Sequence, residues 1–340
     1  MFSRGSVILT VSGLLVVAGC ASAPPVKAPV VSTEQKLAQV MRLEDQRILR
    51  ETPPPPPATP PGRKQKTRVP PPPPTPDLIP LLSDPDAAIR RRAALAVGRV
   101  GLTEGVPPLL PLLKDPDPDV RQMSAFGLGL IGDRTASPAL QALLSDTSYV
   151  VRGRAAEALG LIGDASAAGA IAAMVKDAAA QGNVAGVEPD LERYPMEPAL
   201  EAFRLGIYAL VRLKAYDALA SAVLDGTRPV TQWWPVAYAL SRIEDARAAP
   251  ALTTLLGGNG TYARAFAARG LGVAKAQSAV DALIAQIQPD GLNPLIAVSA
   301  IRALAQIGDA RAGDALSGLL AAPKIDPAVR LEAVVAGGPL

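Results

Sequence analysis

The sequence contains no histidine and a single cysteine, Cys20. Without histidine there is no imidazole base, no Ser-His-Asp triad and no access to the commonest zinc ligand. One cysteine permits no intrachain disulfide and no cysteine-based metal site. Aromatic residues are also scarce, at 4% of the chain, so few large side chains are available to fill a core. Long hydrophobic runs are missing too. The apolar stretch Val7–Val17 is shorter than the roughly 20 residues a spanning helix needs.

What the chain has instead is a period. Ile89-Arg90, Val120-Arg121 and Val151-Arg152 are spaced by 31 residues, as are Gly98, Gly129 and Gly160, and Gly101, Gly132 and Gly163. A fixed period of this length implies stacked supersecondary units. In the unit Asp146–Lys176, Ala155, Ala156, Leu159 and Ile162 recur at helical spacing, which predicts a helix over 150–161. Gly163 stands where a left-handed cap is wanted, and Asp164 can cap a second helix over 167–175. Further along, Leu210, Leu240, Leu271 and Leu304 take the place of Leu159. The expected fold is an all-α, right-handed α-solenoid over 77–340. It has about seven helical hairpins between Asp84 and Leu320, an insertion at 177–198 and an incomplete last unit from Asp326.

These units resemble HEAT repeats of the short bacterial type also seen in phycobilin lyases. The residues that carry the likeness are Asp115-Pro116-Asp117, Val120-Arg121, Gly129, Gly132-Asp133 and Pro138-Ala139-Leu140. The resemblance implies a ladder in which Arg90, Arg121, Arg152, Arg264 and Arg330 meet Asp of a neighbouring unit. Phe203, Trp233 and Ala297 stand at ladder positions without the arginine, so an interruption is expected in the middle.

The N-terminus reads as an address. Arg4, the apolar run and Val17-Ala18-Gly19-Cys20 predict a signal peptide over 1–19 that resembles a bacterial lipobox, with Cys20 as the lipidation site. Two or three acyl chains give stable anchoring. By the usual sorting rule, Ala21 implies an envelope lipoprotein of the outer membrane, facing the periplasm. Residues 20–76 read as a tether: a short amphipathic helix over 32–50, then the proline runs 53–57, 60–61 and 70–74. At ~3.1 Å per residue, an extended polyproline stretch over 53–76 would act as a stalk of roughly 75 Å.

Charge removes one partner class. The net charge is +3, but the tether carries most of the basic excess, and residues 84–340 sum to −2. A nucleic-acid binder wants a basic stripe on its folded face, so no nucleic acid is expected. The cluster Arg63, Lys64, Lys66 and Arg68 reads as a solvated linker. Gly127-Leu-Gly129-Leu-Ile-Gly132 matches a dinucleotide fingerprint, but its glycines fall at the end of a helix rather than after a strand. Asp115-Pro-Asp-Pro-Asp lacks the glycine and distal Glu of a calcium loop. No catalytic residue, metal site or small-molecule cofactor is assigned.

Nine of the twelve aromatics lie between Tyr194 and Phe266. Trp233, Trp234, Tyr238 and Tyr194 are the candidate partner-binding residues, because Trp and Tyr are favoured interface anchors. Packing remains a second reading for them. Glu201–Tyr216 and Trp233–Leu240 also resemble the front of bacterial envelope proteins that join HEAT repeats to a cyclophilin-type peptidyl-prolyl isomerase. Three functions follow: an anchored scaffold for an envelope protein, a partial isomerase lacking its catalytic domain, or a bilin-lyase-like enzyme.

Overall fold

The structure is a computed structural model. It describes residues 31–53, 75–193, 196–290 and 292–337. The signal peptide, Cys20, most of the proline runs, the basic cluster 63–68 and Tyr194 lie outside the described residues. The chain divides into Met1–Ser32 and Thr33–Leu340, and the second unit is a helical stack.

Its helices alternate between two layers. One layer holds α2 (Ala87–Val100), α4 (Pro118–Ile131), α6 (Tyr149–Ile162), α8 (Pro198–Arg212), α10 (Trp234–Arg242), α12 (Thr261–Val273), α14 (Pro294–Ile307) and α16 (Pro327–Gly337). The other holds α3 (Val106–Leu109), α5 (Ser137–Ala142), α7 (Ala168–Gln181), α9 (Tyr216–Val223), α11 (Ala249–Leu256), α13 (Val280–Ile284) and α15 (Arg311–Ala321), several extended by 3-10 turns. Among the described residues seven hairpins result, as the period predicts, followed by α16.

The repeat residues divide into packing, capping and pairing. The first layer is drawn tight by small residues. A Cβ on Gly98 would lie 2.3 Å from the Gly127 Cα, and one on Gly129 would lie 2.6 Å from the Ala158 Cα. Gly132 has φ +79° and ends α4 as a left-handed cap. All three glycines of the nucleotide-like motif are therefore accounted for by helix packing and capping. Asp86 and Asp117 accept backbone N–H bonds at the starts of α2 and α4.

Arg90 donates two bonds to Asp115, at 2.8 and 2.9 Å, and Arg121 two to Asp146, both at 2.9 Å. Arg152 pairs with Asp177 at 2.6 Å. The Arg90 and Arg121 guanidiniums also reach the carbonyls of Asp84 and Asp115. The Arg90 guanidinium holds the Asp115 carboxyl below its ordinary value, outweighing partial burial. The ion-pair ladder ends there. Arg264 hydrogen-bonds Gln286, and Arg330 donates to the Ala322 carbonyl at 3.3 Å. Neither meets an Asp as the resemblance implies. In unit order the first and second residues without arginine, Phe203 and Trp233, replace the ladder with a stacked ring pair.

Two expectations about the front of the unit need correction. The short helix, α1 (Thr33–Asp45), is part of the stack rather than of the tether. Val40 and Leu43 are fully buried, Glu44 pairs with Arg92 and Arg99, and Lys36 pairs with Asp84 at 2.6 Å. Met41 is 62% exposed, because the buried stripe runs through Val40 and Leu43.

The proline-rich segment also begins and ends at one place. The Glu51 N–H donates to the Pro76 carbonyl at 3.0 Å, and the Leu78 N–H to the Leu49 carbonyl at 2.8 Å. A segment whose two ends are bonded to each other cannot act as a 75 Å stalk between membrane and solenoid.

Candidate functional site

The insertion after α7 is held from inside the molecule. The Trp233 and Trp234 indole N–H groups both donate to the Leu191 carbonyl, each at 3.0 Å. The Trp234 backbone N–H donates to the Pro189 carbonyl at 2.9 Å. The Asp190 carboxylate accepts the backbone N–H groups of Thr261 and Tyr262 at 2.8 and 3.0 Å, which caps α12 from another part of the stack. The insertion thus runs from α7 past α10 to the start of α12.

This changes the reading of Trp233. Its side chain is wholly buried, stacked on the equally buried Phe203 with ring centroids 6.2 Å apart and planes 24° apart. A side chain with no exposed surface and its one N–H already donated cannot anchor a partner, so Trp233 is a packing residue. Trp234 and Tyr238 are half-buried, and each keeps a solvent-facing edge.

Trp234 and Tyr238 belong to a continuous aromatic face. Tyr208 and Tyr238 meet edge-on at 5.2 Å, Tyr238 and Phe266 at 5.3 Å, and Trp234 stacks on Phe266 at 5.9 Å. These rings come from α8, α10 and α12, so the face crosses three consecutive units. Arg204 lies 5.8 Å from the Tyr208 ring centre and pairs with Glu201 at 2.8 Å. Burial, the chief cause, pushes the Tyr208 hydroxyl up to about 12. It remains a neutral hydrogen-bonding group at any physiological pH.

The face continues into a groove of about 540 Å³ between α12 and α14. Tyr262, Phe266 and Leu295 give it apolar walls, and Arg269, Arg302 and Gln306 give it polar ones. Tyr262 is 36% and Leu295 46% exposed. Of these residues, the sequence pattern singled out Tyr262 and Phe266 only as members of the aromatic cluster. Arg269, Leu295 and Arg302 were missed. Their signal was present: Arg269 and Arg302 stand two residues before the repeat leucines Leu271 and Leu304, where Tyr208 and Tyr238 stand before Leu210 and Leu240.

At the far end, α16 exposes Leu331, Val334 and Val335. Among the described residues no group of three His, Cys, Asp or Glu is placed to hold a metal ion. None of the described helices is long and apolar enough to cross a membrane.

A family model of HEAT repeats matches residues 106–184 and 259–336, and one of PBS lyase HEAT-like repeats matches 89–115. No curated protein matches the chain. Among solved structures, the complex of CpcE and CpcF of phycocyanin lyase from Nostoc sp. PCC7120 is 20% identical. The match covers 84% of this chain and 99% of that one, with a TM-score of 0.42. Human deoxyhypusine hydroxylase is 23% identical over 77% of this chain and 94% of its own, with a TM-score of 0.31. Kap121p is 11% identical over 76% of this chain and 36% of its own, with a TM-score of 0.40.

Proposed function

This chain is a HEAT-repeat protein, and from that premise we propose that it is a protein-binding scaffold anchored to a membrane of the bacterial envelope through Cys20. The observation that carries the binding part is the aromatic face of α8, α10 and α12. Tyr208, Trp234, Tyr238 and Phe266 touch one another across three units and are still only half-buried. Rigid aromatic side chains that keep an open edge are the residues from which interface hot spots are built.

The lipobox-like Val17-Ala18-Gly19-Cys20 supports the anchoring part. With the proline-rich segment closed on itself, only residues 21–32 lie between Cys20 and the stack. At ~3.3–3.6 Å per residue, this leader keeps α1 within roughly 45 Å of the membrane. An outer-membrane position facing the periplasm follows from Ala21 by the sorting rule. The isomerase-linked reading rests on sequence resemblance alone, and no observation favours the lyase reading.

Two experiments test the proposal. Cys20→Ser should move the chain from the membrane fraction to the soluble fraction. A variant that stays membrane-bound sinks the anchor. The full chain should also capture a defined set of envelope proteins by chemical crosslinking. Tyr238→Ala with Phe266→Ala should deplete that set at unchanged helix content by circular dichroism. An identical set with both variants would remove this face from the proposal.

A further inference from the structure

The two layers of the stack differ in charge over units four to seven. The helices α10, α12 and α14 contain no Asp or Glu, and α8 contains one, Glu201, which is spent on Arg204. Four other acids of these units lie beside the second layer. Asp217 and Asp281 begin or enter α9 and α13, and Asp245 and Asp309 cap the connecting turns. Arg247 and Arg311 pair with all four. The net charge of the solenoid hides this segregation, because it sums a cationic face with an acidic one.

The cationic face is ordered. Two residues before the repeat leucines stand Tyr208, Tyr238, Arg269 and Arg302 in successive units. Two residues after Leu210 and Leu240 stand Arg212 and Arg242, in the register that Gln306 occupies in the groove. Arg212, Arg242 and Arg269 are exposed and make no ion pair among the described residues. Arg302 pairs with Glu332 at 2.7 Å, with its own side chain 63% exposed. Moving along the stack, the column passes from aromatic to guanidinium and ends at the groove.

We propose that the groove between α12 and α14, with the aromatic column leading into it, binds an extended acidic segment of a partner protein that carries apolar side chains among its carboxylates. This rests on the scaffold reading and specifies its partner. The geometry asks for such a segment in two ways. Tyr262, Phe266 and Leu295 form walls suited to an apolar side chain, in a cavity of ordinary ligand-pocket size. Arg269, without an ion pair among the described residues, and Arg302, largely exposed beside Glu332, flank them with planar donors that match carboxylates two bonds at a time. Helices packed ~8–10 Å apart place α8 and α14 about 30 Å from each other, a distance that roughly ten extended residues span.

The probe is a fluorescent peptide of about ten residues alternating Asp with Leu and Phe, matched to that span, titrated into the full chain. Its control has Lys in place of Asp. Phosphatidylglycerol vesicles form a third arm. The Asp peptide should bind, weaken steeply with added salt, and bind at least about tenfold better than the Lys peptide. Arg269→Gln with Arg302→Gln should weaken it about tenfold or more. Because Arg302 also holds Glu332, Arg269→Gln alone is the control for folding. It should weaken binding severalfold at an unchanged melting temperature.

Equal binding of the two peptides, indifference to both substitutions, or binding of the vesicles alone overturns the proposal. Envelope proteins still captured by the Arg269→Gln/Arg302→Gln chain would overturn the groove while leaving the scaffold standing.

Discussion

Phe203 and Trp233 lie face to face, 6.2 Å between ring centres, at the two positions where the preceding units carry ladder arginines. An arginine there would need a carboxylate from the next turn; two rings need only each other. The stack is fully buried, so its loss should be felt in stability rather than in binding. Trp233→Ala should cost about 3–5 kcal/mol in urea unfolding, as large-to-small changes of buried aromatics do. Trp233→Phe should recover a good part of that.

The Arg90–Asp115 and Arg121–Asp146 pairs should set the acid limit of the first units. Asp115 and Asp146 have carboxyls held below the ordinary value of 3.8. For Asp115 the Arg90 bond leads; for Asp146 burial is the largest influence and opposes, and the Arg121 bond, the Ser148 N–H and the charges of Arg121 and Arg152 together outweigh it. A carboxylate with a depressed folded value adds stability above its unfolded value and loses it as pH falls through the folded one. Acid unfolding should therefore begin below about pH 4. Arg121→Ala should cost about 2–4 kcal/mol at neutral pH by stripping a charge-assisted pair. It should also flatten the pH dependence below pH 4, measured by denaturant melts across pH.

Gly98→Ala sets two effects against each other. Alanine in a helix interior gains up to about 1 kcal/mol in propensity over glycine. Its Cβ would fall 2.3 Å from the Gly127 Cα, where backbone must move. Overpacking of that kind costs about 1–3 kcal/mol, and the upper end applies when no flexible side chain can yield. Net destabilisation is expected in thermal unfolding. At Gly169, where an added Cβ meets nothing within 4 Å, the same change should be neutral or stabilising.

Asp190→Ala should release both ends of one contact. It removes the cap on Thr261 and Tyr262, about 1 kcal/mol by the usual value of such caps. Hydrogen exchange should rise together in residues 187–193 and at the start of α12. A rise confined to the loop would mean that the cap is replaced by solvent without consequence.

Much of the stack was legible because its residues repeat. Asp117, Gly132 and Arg121 each satisfy a local demand, such as a cap, a left-handed turn or a pair to the next unit, and local demands leave a periodic trace. The place of α1 was not legible. Its amphipathic pattern suits a free surface helix or a docked one, and only Val40 and Leu43 meeting α2 decide between them. The proline runs misled for a similar reason. Their composition predicts stiffness, whereas the closing bonds at Glu51 and Leu78 are backbone bonds that no side-chain pattern announces. Trp233 and Trp234 are adjacent and chemically alike, and the helix start separates them, one into the core and one onto the face. Arg269 and Arg302 escaped notice because an arginine on a helix is ordinary until its place at the edge of a groove is known.

The Asp190 contact with α12 also bears on how the molecule yields under load. A solenoid whose units touch only their neighbours behaves like a coil spring, opening one turn at a time from either end. Here a strand of chain is riveted across two turns, with Leu191 under both indoles and Asp190 on α12. The spring has a splinted centre. Bending and twisting are shed into the units before α7 and after α12, while the span that carries the aromatic rings keeps its curvature. A partner pulling on the stack would meet compliance at the ends and a fixed template in the middle.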